Sequence, residues 1–281
     1  MNGVLLGVVS AILIGLSNFT GGLASRKDAS LTVGFVGQAI TVPVVAAALI
    51  VAPASHLSTG DLVAGAIAGL CQILGVRLLW QALSAGAMGL LNAISALAAA
   101  SVPAVWAVVR GERMGPVAWL GVGLAASAVV LVARSPGDEQ LLAGRHRRQV
   151  YEAAGAGALF GLGFVGLALP SRTASVAPLL SMRCVAALIG AFMIMRTSKP
   201  LWLGAGNRRV GLLPGLFGGA SLLVFLAAVH LKLTAVVSIV QGLSPLATAT
   251  LAFLILGQRL RHIQLSGLGL ALVATLLIAR G

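Results

Sequence analysis

The chain has 281 residues, of which 59% are hydrophobic and 9% are charged, and its mean hydropathy is +1.04. Soluble domains carry about 25% charged residues, so this composition excludes a soluble globular protein and indicates an integral membrane protein. The net charge is +13. Because the basic residues cluster at the ends of apolar runs, they indicate anchoring at the membrane surface and not nucleic-acid binding.

Ten apolar runs follow one another along the chain. Each has roughly the 18 to 24 residues that a helix needs to cross a hydrocarbon core of about 30 Å, so the sequence predicts helical spans and not barrel strands. The first run has no Lys or Arg before it and no convincing cleavage site after it, which favours a span over a signal peptide. The predicted spans are residues 3–22, 31–53, 62–83, 87–109, 116–133, 151–170, 174–195, 210–229, 233–256 and 263–279.

The sequence repeats itself at a shift of 146 residues. The triplet GER at 111–113 falls on GQR at 257–259, and LGVGLAASAVVLVAR at 120–134 matches SGLGLALVATLLIAR at 266–280 in eight of fifteen positions. Glycine pairs in the third and eighth spans also align without a gap. We therefore predict a tandem duplication, with one repeat at 1–134, a basic linker at 135–150 and a second repeat at 151–281.

Each repeat contains five predicted spans, which is an odd number. The second repeat must then enter the membrane from the opposite side, which gives an inverted pair. The predicted fold is an all-α polytopic membrane protein of ten transmembrane helices in two inverted five-helix repeats. Inverted repeats are typical of secondary transporters, whose substrate site lies near the midplane between the copies.

The end of the fourth span in each repeat resembles a known family. The GER or GQR triplet there is followed at once by a Gly-rich fifth span, and the second repeat has the Ser244-Pro245 step about a dozen residues before its triplet. These features resemble the EamA-type transporters of the drug/metabolite transporter superfamily over essentially the whole chain. The first repeat departs from the pattern, with its proline displaced to Pro103, and Gln258 stands where the family prefers Glu.

The resemblance implies a ten-helix bundle in which the first four helices of each repeat line a central cavity. The fifth helix would be peripheral and often contributes to dimer contacts, so a homodimer is an expected partner arrangement. The resemblance also implies transport, often export, of small organic solutes such as amino acids, across the cell membrane. No cofactor is implied.

Two arginines lie inside predicted spans, where ionisable groups are costly and are functional candidates by default. Arg183 is near the middle of the seventh span, and Arg77 is in the second half of the third span, from which it could also extend toward the membrane surface. No span interior contains Asp or Glu, so neither arginine has a carboxylate at its own depth. A guanidinium in the cavity could bind a substrate carboxylate or phosphate, which predicts anionic or zwitterionic substrates.

Uncharged polar residues recur on helical faces within the spans, most clearly in the ninth span, where Ser238, Gln241 and Thr248 share a face. Such residues either line a substrate pathway or hydrogen-bond neighbouring helices, typically for about 1 kcal/mol. The candidates for the pathway are Asn18, Gln38, Gln72, Gln81, Asn92, Ser95, Ser181, Ser238, Gln241, Ser244 and Thr248.

Glycine spacing in the third and eighth spans indicates close helix packing. Gly65 and Gly69 form one small-xxx-small pair, and Gly211 and Gly215 form the equivalent pair 146 residues later. The stretch GLGFVG at 161–166 fits a dinucleotide-binding pattern, but a span lacks the strand-to-helix turn that such a site requires. The four histidines lie in loops or near span ends without metal-ligand spacing, so no metal site is predicted.

Charge bias and family resemblance predict opposite orientations. Twelve of the 19 Lys and Arg lie in loops 1–2, 3–4, 5–6, 7–8 and 9–10, which by the positive-inside rule places both termini outside. The resemblance places them inside.

Taken together, the sequence predicts a secondary transporter that works by alternating access, driven by an ion or substrate gradient because no Walker A motif is present. A non-transporting membrane sensor or assembly partner is the alternative. A membrane-embedded enzyme is disfavoured because clustered catalytic groups are missing from the spans.

Overall fold

The computed structural model describes residues 2–51, 53–85, 88–109, 145–168, 174–230 and 244–257, together with scattered residues at 115–127 and 262–277. Every regular element within these described residues is helical. The helices are α1 Asn2–Ala24, α2 Ser30–Val51, α3 Thr59–Ala85, α4 Met88–Val109, α5 Arg145–Ala168, α6 Ala177–Arg196, α7 Arg208–His230 and α8 Ser244–Leu256, with a 3₁₀ turn Ala205–Asn207 before α7.

Four stretches of the described helices are long and apolar enough to cross a membrane: Ser30–Val51, Thr59–Ala85, Arg147–Leu167 and Ala177–Arg196. Shorter apolar stretches occur at Val8–Ala24, Met88–Ala99 and Ala247–Leu256. Helices are the expected form for these sequences, because a chain in hydrocarbon must satisfy its backbone hydrogen bonds internally. The prediction of an all-helical membrane protein is confirmed.

The helix bounds differ from the predicted spans by a few residues, most clearly at α5. Helix α5 begins at Arg145, ahead of the predicted span start at 151, so the last residues of the predicted linker are already helical. The described part of α8 falls within the predicted ninth span, and the first part of that span, 233–243, lies outside the described residues.

Helix α8 ends at Leu256, and Gly257 follows it with a positive φ of 65°. The Gly257 amide donates to the Phe253 carbonyl at 3.1 Å. Glycine is the usual residue at this place because it adopts the left-handed conformation without strain. The glycine of the GQR triplet therefore terminates a helix. The equivalent GER triplet lies outside the described residues.

The packing of the helices follows a regular scheme. Helix α3 packs against α5 and α6, whereas α7 packs against α1 and α2. Helix α4 contacts α5, and α8 contacts both α1 and α4. Helices α2 and α6 pack against each other. These contacts bring elements from distant parts of the sequence into one bundle.

The interior of the bundle is apolar and closely packed. Val36 of α2, Trp80 and Leu83 of α3 and Met88 of α4 are buried in one cluster, with Phe19 of α1 beside them. Large apolar side chains such as those of Ile50, Val63, Ile67 and Leu188 are exposed instead. In a bilayer these outward side chains face lipid, because lipid tails are as apolar as the core itself.

Candidate functional site

A chain of hydrogen bonds joins three helices within the bundle. Asn18 Nδ2 of α1 donates to Asn92 Oδ1 of α4 at 3.1 Å, and Asn92 Nδ2 donates to Thr248 Oγ1 of α8 at 2.9 Å. Thr248 Oγ1 lies 3.1 Å from the Gly15 carbonyl oxygen, to which it can donate its proton. Asn92 and Thr248 are buried, and Asn18 is half-buried. The sequence named these three polar residues separately, and the structure brings them together.

A second polar contact links α2 and α6. Arg183 Nη1 donates to Gln38 Oε1 at 2.7 Å. The Arg183 side chain is only partly accessible, and its Nε is buried without a hydrogen-bond partner among the described residues. Within that part of the chain Arg183 makes no salt bridge. The guanidinium is therefore held by a neutral amide and retains unused donors. This arrangement is typical of a site for an anionic ligand and differs from a structural ion pair, in which a carboxylate of the protein would take up the donors.

The indole of Trp80 lies beside the same part of α2. A Cβ added at Gly37, the neighbour of Gln38, would lie 3.4 Å from Trp80 Cη2. On the other side Gly21 of α1 lies against the ring. Trp80 is 4% exposed, and its Nε1 has no partner among the described residues. Two glycines thus make room for one large aromatic side chain next to the polar pair.

The other predicted pathway residues lie in different surroundings. Gln81 donates to Glu152 Oε1 at 2.8 Å near the start of α5, and Ser181 donates to the Leu62 carbonyl at 2.8 Å. Ser95 is buried on α4, where its carbonyl oxygen lies against Gly157 of α5. Gln81, Ser181 and Ser95 are thus occupied at contacts between helices.

Of the remaining predicted candidates, Ser244 contacts the first polar group through its backbone carbonyl. Gln72 and Arg77 of α3 are half-buried. Ser244 opens α8, and its carbonyl lies 3.3 Å from Thr248 Oγ1. Ser238 and Gln241 lie outside the described residues.

Three of the four predicted packing glycines lie at helix crossings. A Cβ added at Gly65 would overlap the Pro178 carbonyl of α6, and one at Gly69 would lie 3.1 Å from Val185 Cβ. Gly215 of α7 lies against α2, where an added Cβ would be 3.0 Å from the Gly37 carbonyl oxygen. Gly211 faces the Leu203 side chain in the loop before α7.

Sequence reasoning missed a polar seam between α1 and α7. Ser10 Oγ and Ser221 Oγ are 2.9 Å apart, and Ser17 Oγ donates to the Pro214 carbonyl at 2.9 Å. Ser10 and Ser17 are seven residues apart, so they lie on one face of α1. That spacing was the available signal. Serines are small enough to let helices approach closely while bonding across them.

Comparison with known proteins agrees with this architecture. The class defined by the fold is a helical membrane protein whose apolar core contains a few buried polar contacts. A solved crystal structure, described only as that of a protein, is similar over 99% of this chain and 96% of that chain, with 15% identity and a TM-score of 0.65. That likeness concerns the fold alone. The curated proteins contain no match.

The family model of the EamA-like transporter family matches residues 150–280. These residues are similar to that family, which is part of the drug/metabolite transporter superfamily.

Proposed function

We propose that the protein is a secondary transporter, and an exporter, of small anionic or zwitterionic organic metabolites across the cell membrane. Two inverted five-helix repeats alternate the access of a site between them, and Arg183 binds the negative group of the substrate. The single observation that carries the choice of substrate is the partly buried guanidinium of Arg183, which pairs with Gln38 and with no carboxylate of the described residues.

The helix contacts support the two-repeat arrangement. A shift of 146 residues takes α1 to α5, α2 to α6, α3 to α7 and α4 to α8. The contact of α3 with α5 then becomes that of α7 with α1, and the contact of α4 with α5 becomes that of α8 with α1. Both members of each pair are observed. Such an exchange is expected when two copies of one unit pack around a common axis, as in inverted-repeat transporters.

Individual contacts repeat in the same way. Gly69 lies against Ala186, and the shifted pair is Gly215 against Ile40. In both cases the third helix of one copy closely approaches the second helix of the other copy. This residue-level match supports the repeat independently of the sequence identity at its ends.

The position of Arg183 supports a central binding site. Its equivalent in the first repeat is Gly37, the neighbour of Gln38, so the Arg183–Gln38 contact spans equivalent turns of α2 and α6. A contact between equivalent turns lies at the axis that relates the two repeats. Substrate sites of inverted-repeat transporters lie at this interface, which is why we assign the binding role to Arg183.

The chemistry of the pair fits a carboxylate or phosphate. A guanidinium presents a planar fork of donors that matches two oxygens of an anion, and such charge-assisted hydrogen bonds are the stronger ones. The Gln38 amide holds one Arg183 nitrogen without neutralising its charge. An arriving anion would supply the countercharge that the protein interior lacks here.

Flux into proteoliposomes tests the proposal. Vesicles loaded with a panel of amino acids, dicarboxylates and phosphorylated metabolites would first identify a transported substrate by counterflow. Arg183→Gln should then lower flux at least tenfold, because a charge-assisted hydrogen bond contributes about 1.5 to 3 kcal/mol. Arg196→Gln is the matched control, since Arg196 lies on the same helix, is exposed and stacks on Phe192.

A second variant separates binding from folding. Gln38→Glu keeps the length of the side chain and places a carboxylate beside Arg183, so it should compete with the substrate and raise KM with little effect on kcat. Unchanged flux of a carboxylate substrate in Arg183→Gln would remove Arg183 from the mechanism. Binding of substrates without flux in the wild-type protein would instead favour a sensor.

A further inference from the structure

An open groove lies where the start of α5 meets the end of α3, away from the Arg183–Gln38 pair. Its volume is about 470 Å³, and Leu78, Arg147, Arg148, Tyr151 and Glu152 line it. Gln149 Nε2, between the two lining turns of α5, donates to the carbonyl of Ala85, the last residue of α3. The groove is therefore level with the helix ends, at the height of a membrane surface.

The guanidinium groups of the groove retain donors that no described residue uses. Arg147 Nε donates to the Tyr151 hydroxyl at 3.0 Å, and the guanidinium lies 5.4 Å from the centre of the Tyr151 ring. Arg148 Nε donates to Glu152 Oε1 at 2.8 Å, while 74% of the Arg148 side chain is exposed. Both arginines thus hold a fixed position through Nε and leave their terminal nitrogens for an external acceptor.

The charge of the groove favours an anion. Glu152 already makes two hydrogen bonds, because its Oε1 accepts from Arg148 and from Gln81 of α3. The two arginines exceed this one carboxylate, and the first turn of α5 contains no acid. The amino end of a helix carries partial positive charge as well. In the ten-span topology predicted from the sequence, the groove lies on the side with twelve of the 19 basic residues.

Apolar and aromatic surface accompanies the charge. Leu78 of α3 forms the apolar part of the lining, and Tyr151 is 60% exposed beside it. Tyr is enriched at the level of lipid headgroups. We propose that this groove binds an anionic phospholipid, with the phosphate between Arg147 and Arg148 and the acyl chain against Leu78. A free phosphate ion would use the arginines but gain nothing from the apolar wall.

Lipid binding to the purified full-length protein tests the assignment. Native mass spectrometry would measure retention of phosphatidylglycerol and phosphatidylcholine with identical acyl chains. We expect phosphatidylglycerol to bind at least tenfold more tightly, and the double change R147Q and R148Q to remove this preference, since each basic residue near a membrane surface contributes about a factor of five. The control is R208Q with R209Q, two adjacent exposed arginines at the start of α7 on the same side.

The outcomes are distinct. Loss of the preference in the Arg147 and Arg148 variant, with retention in the control, supports the groove. Equal losses in both variants would show a diffuse charge effect and overturn it, as would competition by inorganic phosphate as strong as that by the lipid. If the double variant does not fold, R147Q alone decides, because Arg147 bonds only to exposed Tyr151 within the described chain. That single change should lower the preference about fivefold, and no change would contradict the proposal.

Discussion

The beginnings of α3 and α7 occupy equivalent places under the 146-residue shift, yet different partners cap them. Before α3, Ser58 Oγ accepts from the Asp61 amide at 3.1 Å, and Asp61 Oδ2 accepts from the Ser58 amide at 2.9 Å, which is the reciprocal pattern of a capping box. Gly204 and Asn207 stand at the shifted positions. There Asp28, from the loop after α1, accepts from the Gly204 amide at 3.2 Å.

Both helix starts require a hydrogen-bond acceptor, but the two copies take it from different parts of the chain. The first amides of a helix lack intrahelical partners, so each copy needs an acceptor at this point. The first copy provides it within four residues of sequence. The second copy takes it from another loop, and Asn207 Nδ2 completes the link by donating to Asp28 Oδ2 and to the Ala24 carbonyl, both at 2.8 Å. These bonds thus also fasten the loop between α1 and α2 to the loop between α6 and α7.

Removing the distant acceptor should have the largest effect. Asp28→Ala takes away the bonds to the Gly204 amide and to Asn207, which is 4% exposed, so the buried Asn207 amide loses one of its two acceptors. We expect the free energy of unfolding to fall by about 2 kcal/mol, because hydrogen bonds to charged groups contribute roughly 1.5 to 3 kcal/mol. Equilibrium unfolding in mixed micelles would measure it.

Asp28→Asn provides the matched control. Its oxygen can still accept from Gly204, but an amide nitrogen cannot accept from Asn207, so an intermediate loss is expected. Equal stability of Asp28→Ala and the wild type would mean that the loops are not fastened here, and the contrast between the two copies would be lost.

Removing the local acceptor should cost less. Asp61→Ala breaks the capping box at α3 but leaves the loops of the other copy joined. Losing a helix cap typically costs about 1 kcal/mol. Hydrogen exchange should show faster opening of the first turn of α3 with no change near Gly204. A loss as large as that of Asp28→Ala would show that both copies depend equally on their caps.

The contrast between local and distant contacts also explains which features could be predicted from the sequence. The helices and their close crossings follow from local signals: apolar runs of span length, and glycine pairs such as Gly65 and Gly69. The Ser58–Asp61 cap was also readable as a polar pair three residues apart. The bond from Asp28 to Asn207 was not, because nothing local relates positions 179 residues apart.

The candidate site shows the same limit. Arg183 and Gln38 were each identified by the cost of placing polar groups in lipid, but their contact depends on how α2 meets α6. Gln81 met the same criterion, yet it bonds to Glu152 near the membrane surface. Polarity within a span selects candidates, whereas only tertiary packing distinguishes a pathway residue from one that joins two helices.

The smallest predicted effect concerns a crossing that both copies contain. Gly15 lies against Thr248, and the shifted pair is Gly161 against Val102, so the packing recurs while the hydroxyl is present once. Thr248→Val should give both crossings an apolar valine and leave Asn92 Nδ2 without its Thr248 acceptor. Polar bonds between membrane helices average about 0.6 kcal/mol, and a loss of that order is expected in equilibrium unfolding.

Val102→Thr is the reciprocal control. Threonine has nearly the volume of valine and adds a hydroxyl at the crossing of Gly161 with residue 102, where no asparagine is present. The new hydroxyl can donate to the backbone carbonyl one turn earlier in the helix. The free energy of unfolding should therefore stay within about 0.5 kcal/mol of the wild type. If Thr248→Val proves equally neutral, the hydrogen-bond chain does not hold α4 to α8. Asn92 and Thr248 would then be free to exchange partners with a passing substrate, and measuring flux in Thr248→Val would become the direct test of that role.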